Sequence, residues 1–296
     1  MSVKAASASL LILCIAVIVP LYNSQDCPAI DARCSCITSF ISQSIVCQRL
    51  DYVDLVPQFD RSTTVYESLT IKDFTIVRRV QANAFEGLRL NRLDLQALSI
   101  ETIDVDSFVG LDTSQLYEIH LCDNYIDNVP EGTFRNMSSL SILGLQHNGI
   151  KQLDTGLFHG LSSLSYLHLE GNRLNSLPDT LLRQLGMLRD LSLFANDLSE
   201  ISTTALQGLT NLQKLELNGN QLRRVTVGAF RLLSRLRELQ LQDNQLGPVL
   251  NKSMFEGLVQ LETIDISNNL FNRLLSDTFV YTPRLRNVYI LSLIHI

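Results

Sequence analysis

The segment LSYLHLEGNRL, residues 164–174, sets the pattern for this chain of 296 residues, because the same phrase returns at a nearly fixed interval. Each copy fits L-x-x-L-x-L-x-x-N-x-L, with isoleucine or another apolar residue at some leucine places. Successive copies begin 24 residues apart, with one spacing of 25. A fixed internal period of this length is typical of solenoids, in which each unit buries its apolar face against the next. The first leucines of the seven copies are Leu116, Leu140, Leu164, Leu188, Leu212, Leu236 and Leu261.

Weaker copies flank this array on both sides. The segment from Leu90 has Leu98 at the asparagine place, and the segment from Tyr66 has Phe74 there. The chain from Leu285 begins another unit and then loses the pattern. Because the asparagine is missing, we expect the turns at Leu98 and Phe74 to be satisfied differently from the others.

The stretch around L-x-L is predicted to be a short strand, in which alternate side chains face opposite sides. Leu167 and Leu169 then point into the core, whereas Tyr166, His168 and Glu170 point outward. The asparagine is expected where the chain leaves the strand, since its amide can bond backbone groups that would cost ~1–3 kcal/mol each if buried unpaired. These asparagines are Asn124, Asn148, Asn172, Asn196, Asn220, Asn244 and Asn269. A second periodic row predicts stacked rings on the return side: Phe85, Phe108, Phe134, Phe158, Phe230, Phe255 and Phe279, with Leu182 and Leu206 at the same place.

This pattern resembles the leucine-rich repeat family in its extracellular form, over roughly residues 60–290. The resemblance implies an α/β-type repeat solenoid, a horseshoe with short parallel strands on the concave face and irregular, 3-10 or helical segments on the convex face. We predict a signal peptide at 1–24, a cysteine-rich N-terminal cap at 25–58, and about nine to ten repeats at 59–290. Residues 291–296 do not continue the repeat pattern, which suggests that the chain is truncated.

The start of the chain predicts secretion. Lys4 is followed by the apolar run Leu10–Val19 and then by Pro20, which is the layout of a signal peptide. The alternative is a signal anchor, but the run is shorter than the ~20 residues that cross a bilayer. We expect a secreted or extracellular protein, held at the cell surface if an anchor follows the C-terminus.

Four cysteines precede the repeats, at Cys27, Cys34, Cys36 and Cys47. Disulfides are common in small secreted segments, and four cysteines allow three connectivities; a zinc site is the competing interpretation. The spacing resembles the N-terminal cap of extracellular leucine-rich repeat proteins, which implies Cys27–Cys36 and Cys34–Cys47. Cys122 is left over and should face the concave side, as a buried thiol, as an intermolecular bridge, or paired with nearby His120.

Two N-x-S/T motifs lie between strand segments, at Asn136 and at Asn251. In a secreted chain such motifs are acceptors for N-linked glycans. Both predicted sites leave the concave face uncovered.

The concave face carries the predicted partner site. Ile142, Tyr166 and Phe194 bring apolar surface to the middle of a polar and mildly acidic face, as in a protein-binding hot spot. Scattered surface apolar residues are the plainer alternative. The predicted contact residues are His120, Ile142, Tyr166, His168, Glu170, Asp190, Phe194, Lys214 and Glu216.

Function follows from the repeat rather than from a catalytic motif. The sequence lacks G-x-S-x-G, H-E-x-x-H, P-loop and dinucleotide fingerprints, so we predict no enzyme, no cofactor and no metal. The 24 Lys and Arg against 30 Asp and Glu give a net charge of -6, which does not favour a nucleic acid partner. The chain is similar to Slit-like and Nogo-receptor-like ectodomains, which implies protein recognition in adhesion, a receptor or the matrix. It is also similar to the non-catalytic subunit of decapod luciferin 2-monooxygenase and to that of carboxypeptidase N, so a carrier subunit of a secreted enzyme is the alternative.

Overall fold

A computed structural model describes residues 34–38, 42–48, 65–72, 78–250 and 252–291. Within them, twelve strands form one sheet in the order of the chain, and every neighbouring pair after the first is parallel. The strands of this main sheet are β1 Cys34–Thr38, β2 Gln43–Gln48, β3 Tyr66–Lys72, β5 Leu90–Asp94, β7 Glu118–His120, β8 Ile142–Gly144, β9 Tyr166–His168, β10 Asp190–Ser192, β12 Lys214–Glu216, β14 Glu238–Gln240, β16 Thr263–Asp265 and β18 Asn287–Tyr289. The predicted repeat solenoid is confirmed.

The segments that return from one main strand to the next are mostly turns. They contain one 3-10 helix, Lys252–Phe255, in the described part of the chain. Short parallel pairs also form there between successive return segments. These pairs are β4 Arg79–Val80 with β6 Thr102–Ile103, β11 Glu200–Ile201 with β13 Arg224–Val225, and β15 Val249–Leu250 with β17 Arg273–Leu274.

The strand register places leucine on leucine. Leu167 pairs with Leu143 on one side and with Leu191 on the other, and all three are fully buried. Because side chains alternate along a strand, this register also sends the residues on either side of each leucine outward in rows. The period of the sequence therefore fixes both the core and the rows on the sheet surface.

The predicted aromatic row is confirmed as a second part of the core. The rings of Phe85 and Phe108 stack with centroids 5.7 Å apart, and those of Phe108 and Phe134 lie 6.0 Å apart. Leu182 and Leu206 are buried at the same place in their repeats. Phe279 stacks on Phe255 at 5.4 Å but is only partly buried.

The turn asparagines bind two repeats together. The Nδ2 group of Asn172 donates to Leu169 O in its own repeat and to Leu145 O in the preceding one, both at 3.0 Å. Its Oδ1 accepts from Ile150 N, again in the preceding repeat, at 3.1 Å. The same bonds across repeats are made by Asn124, Asn148, Asn196, Asn220, Asn244 and Asn269.

The turn at Leu98 differs, as expected. Leu98 is buried, and Asn124 of the next repeat accepts from both Leu98 N at 2.9 Å and Ile100 N at 3.0 Å. Ala97 has a positive φ of 56°, as do the residues before the asparagine in the other turns, such as Asp123 and His147. Ser99, at 62°, is particular to this turn. Most L residues avoid this region, so Ser99 adds some strain where the amide is missing.

The N-terminal hairpin is closed by a disulfide. β1 and β2 are antiparallel, and their register partners Cys34 and Cys47 are bonded. Cys36 is disulfide-bonded as well. Cys27, the partner that the resemblance implies, lies outside the described residues, as do the predicted signal peptide, Phe74 and Asn251.

Replacing a central turn asparagine should weaken the array. Asn196→Ala removes the bonds to Leu169 O, Leu193 O and Leu174 N, so buried backbone groups lose their partners. We expect the free energy of unfolding in urea to fall by about 2–4 kcal/mol. The control is Asn175→Ala, an exposed site whose loss should stay within about 0.5 kcal/mol. Equal losses in the two variants would contradict the bridging role.

Candidate functional site

The candidate site is the outer side of the main sheet, termed the strand face, which corresponds to the predicted concave face. It consists of three rows of outward residues, of which the first and second lie in register across the strands. From β5 to β16 the first row is Arg92, Glu118, Ile142, Tyr166, Asp190, Lys214, Glu238 and Thr263. The second row is Asp94, His120, Gly144, His168, Ser192, Glu216, Gln240 and Asp265. The third row is Gln96, Cys122, Gln146, Glu170, Phe194, Asn218, Gln242 and Ser267.

The middle of the strand face is apolar. Ile142 and Tyr166 are register partners on adjacent strands, and Tyr166 is 37% exposed. Phe194 and Ile142 are half-buried. Together they present apolar and aromatic surface to solvent between two groups of charged side chains, as expected from the sequence.

The charged group on one side of this apolar centre is internally paired. Arg92 lies 3.4 Å from Asp94 and 3.5 Å from Glu118, and His120 Nε2 lies 2.5 Å from Glu118 Oε1. Burial would raise the pKa of Glu118, but the hydrogen bond from His120 and the charge of Arg92 hold it below its usual value. These charges therefore satisfy one another.

His120, predicted as a contact residue, is largely covered. It is 8% exposed, and its Nδ1 fills the space where Gly144 lacks a side chain, 3.1 Å from where a Cβ would stand. The sequence predicted the face on which His120 lies. It did not predict that the imidazole packs against the sheet over Gly144, which has no side chain to block it. His120 therefore contributes little area to a contact.

The group on the other side is rich in carboxylates. Asp190, Lys214 and Glu238 are successive register partners, and Lys214 Nζ lies 2.7 Å from Glu216 Oε1. Burial works against the charge of Lys214, but the bond to Glu216 and the surrounding carboxylates raise its pKa. One ammonium group is thus surrounded by several acids. Glu238 was missed as a site residue, although its register with Lys214 follows from the period.

Burial and crowding shift the titration of this group. Burial raises the pKa of Glu170 to about 7, and repulsion from Glu216 and Asp190 acts in the same direction. Burial also raises the pKa of Asp190 to about 6, against the attraction of Lys214. Burial lowers the pKa of His168 to about 4, so this imidazole is neutral at neutral pH. The acidic side of the strand face therefore loses negative charge as pH falls from about 7 to 5.

Cys122 is a buried thiol on the strand face, and its Sγ donates to Gln96 Oε1 at 3.5 Å. This matches the prediction of a covered thiol. In the described residues, no group of three or more His, Cys, Asp or Glu side chains is placed to hold a metal ion.

Asn136 lies away from the strand face. It is exposed in the turn between β7 and β8, and it lines a cavity of about 320 Å³ together with Val105, Val109 and Arg135. The side chain is accessible to a modifying enzyme. A glycan at this place would leave the strand face open.

The geometry agrees with the comparisons with known proteins. Residues 114–174 and 186–246 match the family model described as leucine rich repeat. The described residues have the fold of a leucine-rich repeat solenoid, and these two ranges are similar in sequence to that family. No curated protein matches its sequence.

Two solved structures with the same fold are complexes. The crystal structure of the TLR13–ssRNA13 complex is 23% identical with a TM-score of 0.70, over 77% of this chain. The structure of the Toll–Spatzle complex, from Drosophila, is 18% identical with a TM-score of 0.60, over 71% of this chain. The chain spans 32% of the length of each matched chain. Within its described residues, no helix has the length and apolar character needed to cross a membrane.

Neutralising Glu170 should stabilise the solenoid in a pH-dependent way. Its folded pKa lies above the usual 4.5, so the ionised carboxylate costs stability at pH 8, and the cost vanishes as pH falls below about 4.5. Glu170→Gln should raise the free energy of unfolding by roughly 1–3 kcal/mol at pH 8 and by much less at pH 5.

Each variant is compared with the parent at the same pH by urea denaturation. The lowered pKa of His168 makes the free energy of unfolding fall at low pH, but this effect is the same in parent and variant and cancels in the comparison. Glu131→Gln, at an exposed site away from the strand face, is the control and should give no such pH dependence. A gain that is the same at pH 5 and pH 8 would refute the buried-charge explanation.

Proposed function

We propose that this leucine-rich repeat protein is a secreted or cell-surface recognition protein that binds a protein partner through the strand face. The observation that carries the proposal is the partly exposed apolar centre of Ile142, Tyr166 and Phe194, bordered by charged side chains. Aromatic anchors inside a polar rim are the usual anatomy of a protein-binding surface. The two similar structures are complexes in which a solenoid of this fold binds RNA or a protein, which supports a binding role but does not identify this chain's partner.

The charges of the strand face favour a basic partner. From β5 to β16 its rows hold seven acidic side chains and two basic ones. Arg92 is already shared between two acids, so the excess lies around Lys214. A cationic partner surface would relieve the repulsion among Glu170, Asp190 and their neighbours, whereas a nucleic acid would be repelled.

We further propose that the chain is not catalytic and that it acts outside the cell. The apolar start of the sequence, the disulfide Cys34–Cys47 and the exposed Asn136 support an oxidising, secretory route. A carrier subunit of a secreted enzyme would use the same face. It would differ in co-purifying with an enzyme at fixed stoichiometry, whereas adhesion or receptor binding would give a matrix or membrane partner.

Truncating the aromatic anchors should weaken binding. We expect Tyr166→Ala and Phe194→Ala each to raise the Kd for the partner by roughly tenfold or more, because hot-spot side chains lose buried contact area. The partner is first identified by crosslinking on native material, and Kd is then measured by surface plasmon resonance. Tyr125→Ala removes an equally large side chain, 69% exposed at the far end of the strands, and serves as the control. A loss at Tyr125 equal to that at Tyr166 would count against the strand face.

Asn136 should carry an N-linked glycan when the chain is expressed in secreting animal cells. Glycosidase treatment should reduce the mass of the secreted protein, and Asn136→Gln should remove part or all of that reduction. Thr133→Ala, near the motif but outside it, should leave the glycan in place. An unchanged mass after treatment of the parent protein would contradict glycosylation, whereas failure of the cells to secrete the chain would contradict the proposed secretory route.

A further inference from the structure

A row of arginines lies along one side of the last five described repeats. In each repeat the first leucine points into the core, so the residues immediately before and after it point outward. Across these repeats the ten outward positions are Met187, Arg189, Asn211, Gln213, Arg235, Arg237, Gln260, Glu262, Arg284 and Arg286. The five arginines, Arg189, Arg235, Arg237, Arg284 and Arg286, are all exposed and are termed the arginine flank.

Backbone hydrogen bonds hold the arginine flank in a regular ladder. Gln213 N donates to Arg189 O and Arg237 N to Gln213 O, both at 2.8 Å. Glu262 N then donates to Arg237 O at 2.8 Å, and Arg286 N to Glu262 O at 2.9 Å. Neighbouring strands are ~4.8 Å apart, so Arg189, Arg237 and Arg286 recur at intervals of roughly 10 Å along this ladder.

The positive charge of the flank is largely uncompensated. Glu262 is the one acid among the ten positions, and it lies 3.8 Å from both Arg237 Nη1 and Arg286 Nη1. Arg235 donates to Asn211 Oδ1 at 2.7 Å and Arg284 to Gln260 Oε1 at 2.5 Å. Those acceptors are neutral, so they orient the guanidinium groups without cancelling their charge.

This concentration of charge is local. In the two preceding repeats the equivalent positions are serines: Ser139, Ser141, Ser163 and Ser165. On the return segments, by contrast, several arginines face acids, as in Arg79 with Asp104 at 2.8 Å. The net charge of -6 therefore conceals a cationic strip beside the acidic strand face.

We propose that the arginine flank binds a sulfated linear polysaccharide. A strip of guanidinium groups at a constant interval matches a polymer whose anionic groups also recur at a constant interval. Planar guanidinium forms paired, charge-assisted hydrogen bonds with the oxygens of such oxyanions. This inference stands independently of the proposed strand-face function.

The surroundings of the flank favour a polysaccharide over a nucleic acid. The ten positions contain no aromatic side chain, and single-stranded nucleic acids are usually bound by stacking of bases on aromatic rings. Asp190 and Glu238 directly follow Arg189 and Arg237 and turn onto the strand face. A wide duplex lying on the flank would bring phosphates close to these carboxylates, whereas a narrow chain would not.

The test uses the purified chain and heparin as the probe, with fluorescence anisotropy at increasing salt. The double variant R237E/R286E should weaken heparin binding at least ~tenfold and flatten its dependence on salt, because fewer counterions are released. The matched control R173E/R223E makes the same change of net charge at exposed arginines on the opposite side of the strands. It should bind heparin like the parent, and thermal unfolding should show all variants folded.

Glu262→Gln gives an independent check, because it removes the single acid of the flank and should strengthen binding about two- to tenfold. Equal losses in the two double variants would overturn the proposal, since binding would then follow net charge alone. Absence of heparin binding by the parent at low salt would overturn it as well. Tighter binding of single-stranded RNA or duplex DNA than of heparin would replace the polysaccharide by a nucleic acid.

Discussion

The hydrogen bonds of the turn asparagines are the constraint on which this solenoid depends. At the end of each strand the chain turns out of the sheet, and buried carbonyl and amide groups lose their sheet partners. One side-chain amide supplies donors and an acceptor together, and it reaches both its own repeat and the preceding one, as Asn172 does. Because each repeat completes the turn before it, the units are stable as a stack rather than singly.

This stacking decides the chemistry of the surface as well as that of the core. Parallel strands in register place equivalent side chains beside one another, so the charges that successive repeats carry at one position become neighbours. Asp190, Lys214 and Glu238 form such a row, and the nearby Glu170 is buried by the same arrangement. The raised pKa values of Glu170 and Asp190 mean that their ionised forms lower the stability of the folded chain at neutral pH. Binding sites often carry such a cost in stability.

Two surfaces of opposite charge result from neighbouring positions in one repeat. The residue after the first leucine faces the arginine flank, and the next residue faces the strand face, as in Arg189 and Asp190. A protein partner on the acidic strand face and a sulfated polymer on the basic flank could therefore be held side by side. Neither would have to displace the other.

The sequence alone determined where strands, core leucines, aromatic row and turn asparagines lie, because each depends only on the period. It also located the outward residues Ile142, Tyr166 and Phe194. The tertiary structure decided what the period does not encode: the burial of His120 over Gly144, the shared use of Asn124 at the Leu98 turn, and the pKa values of Glu170 and His168. These depend on the size, charge and rotamer of side chains about two dozen residues away, which become neighbours only when the repeats stack.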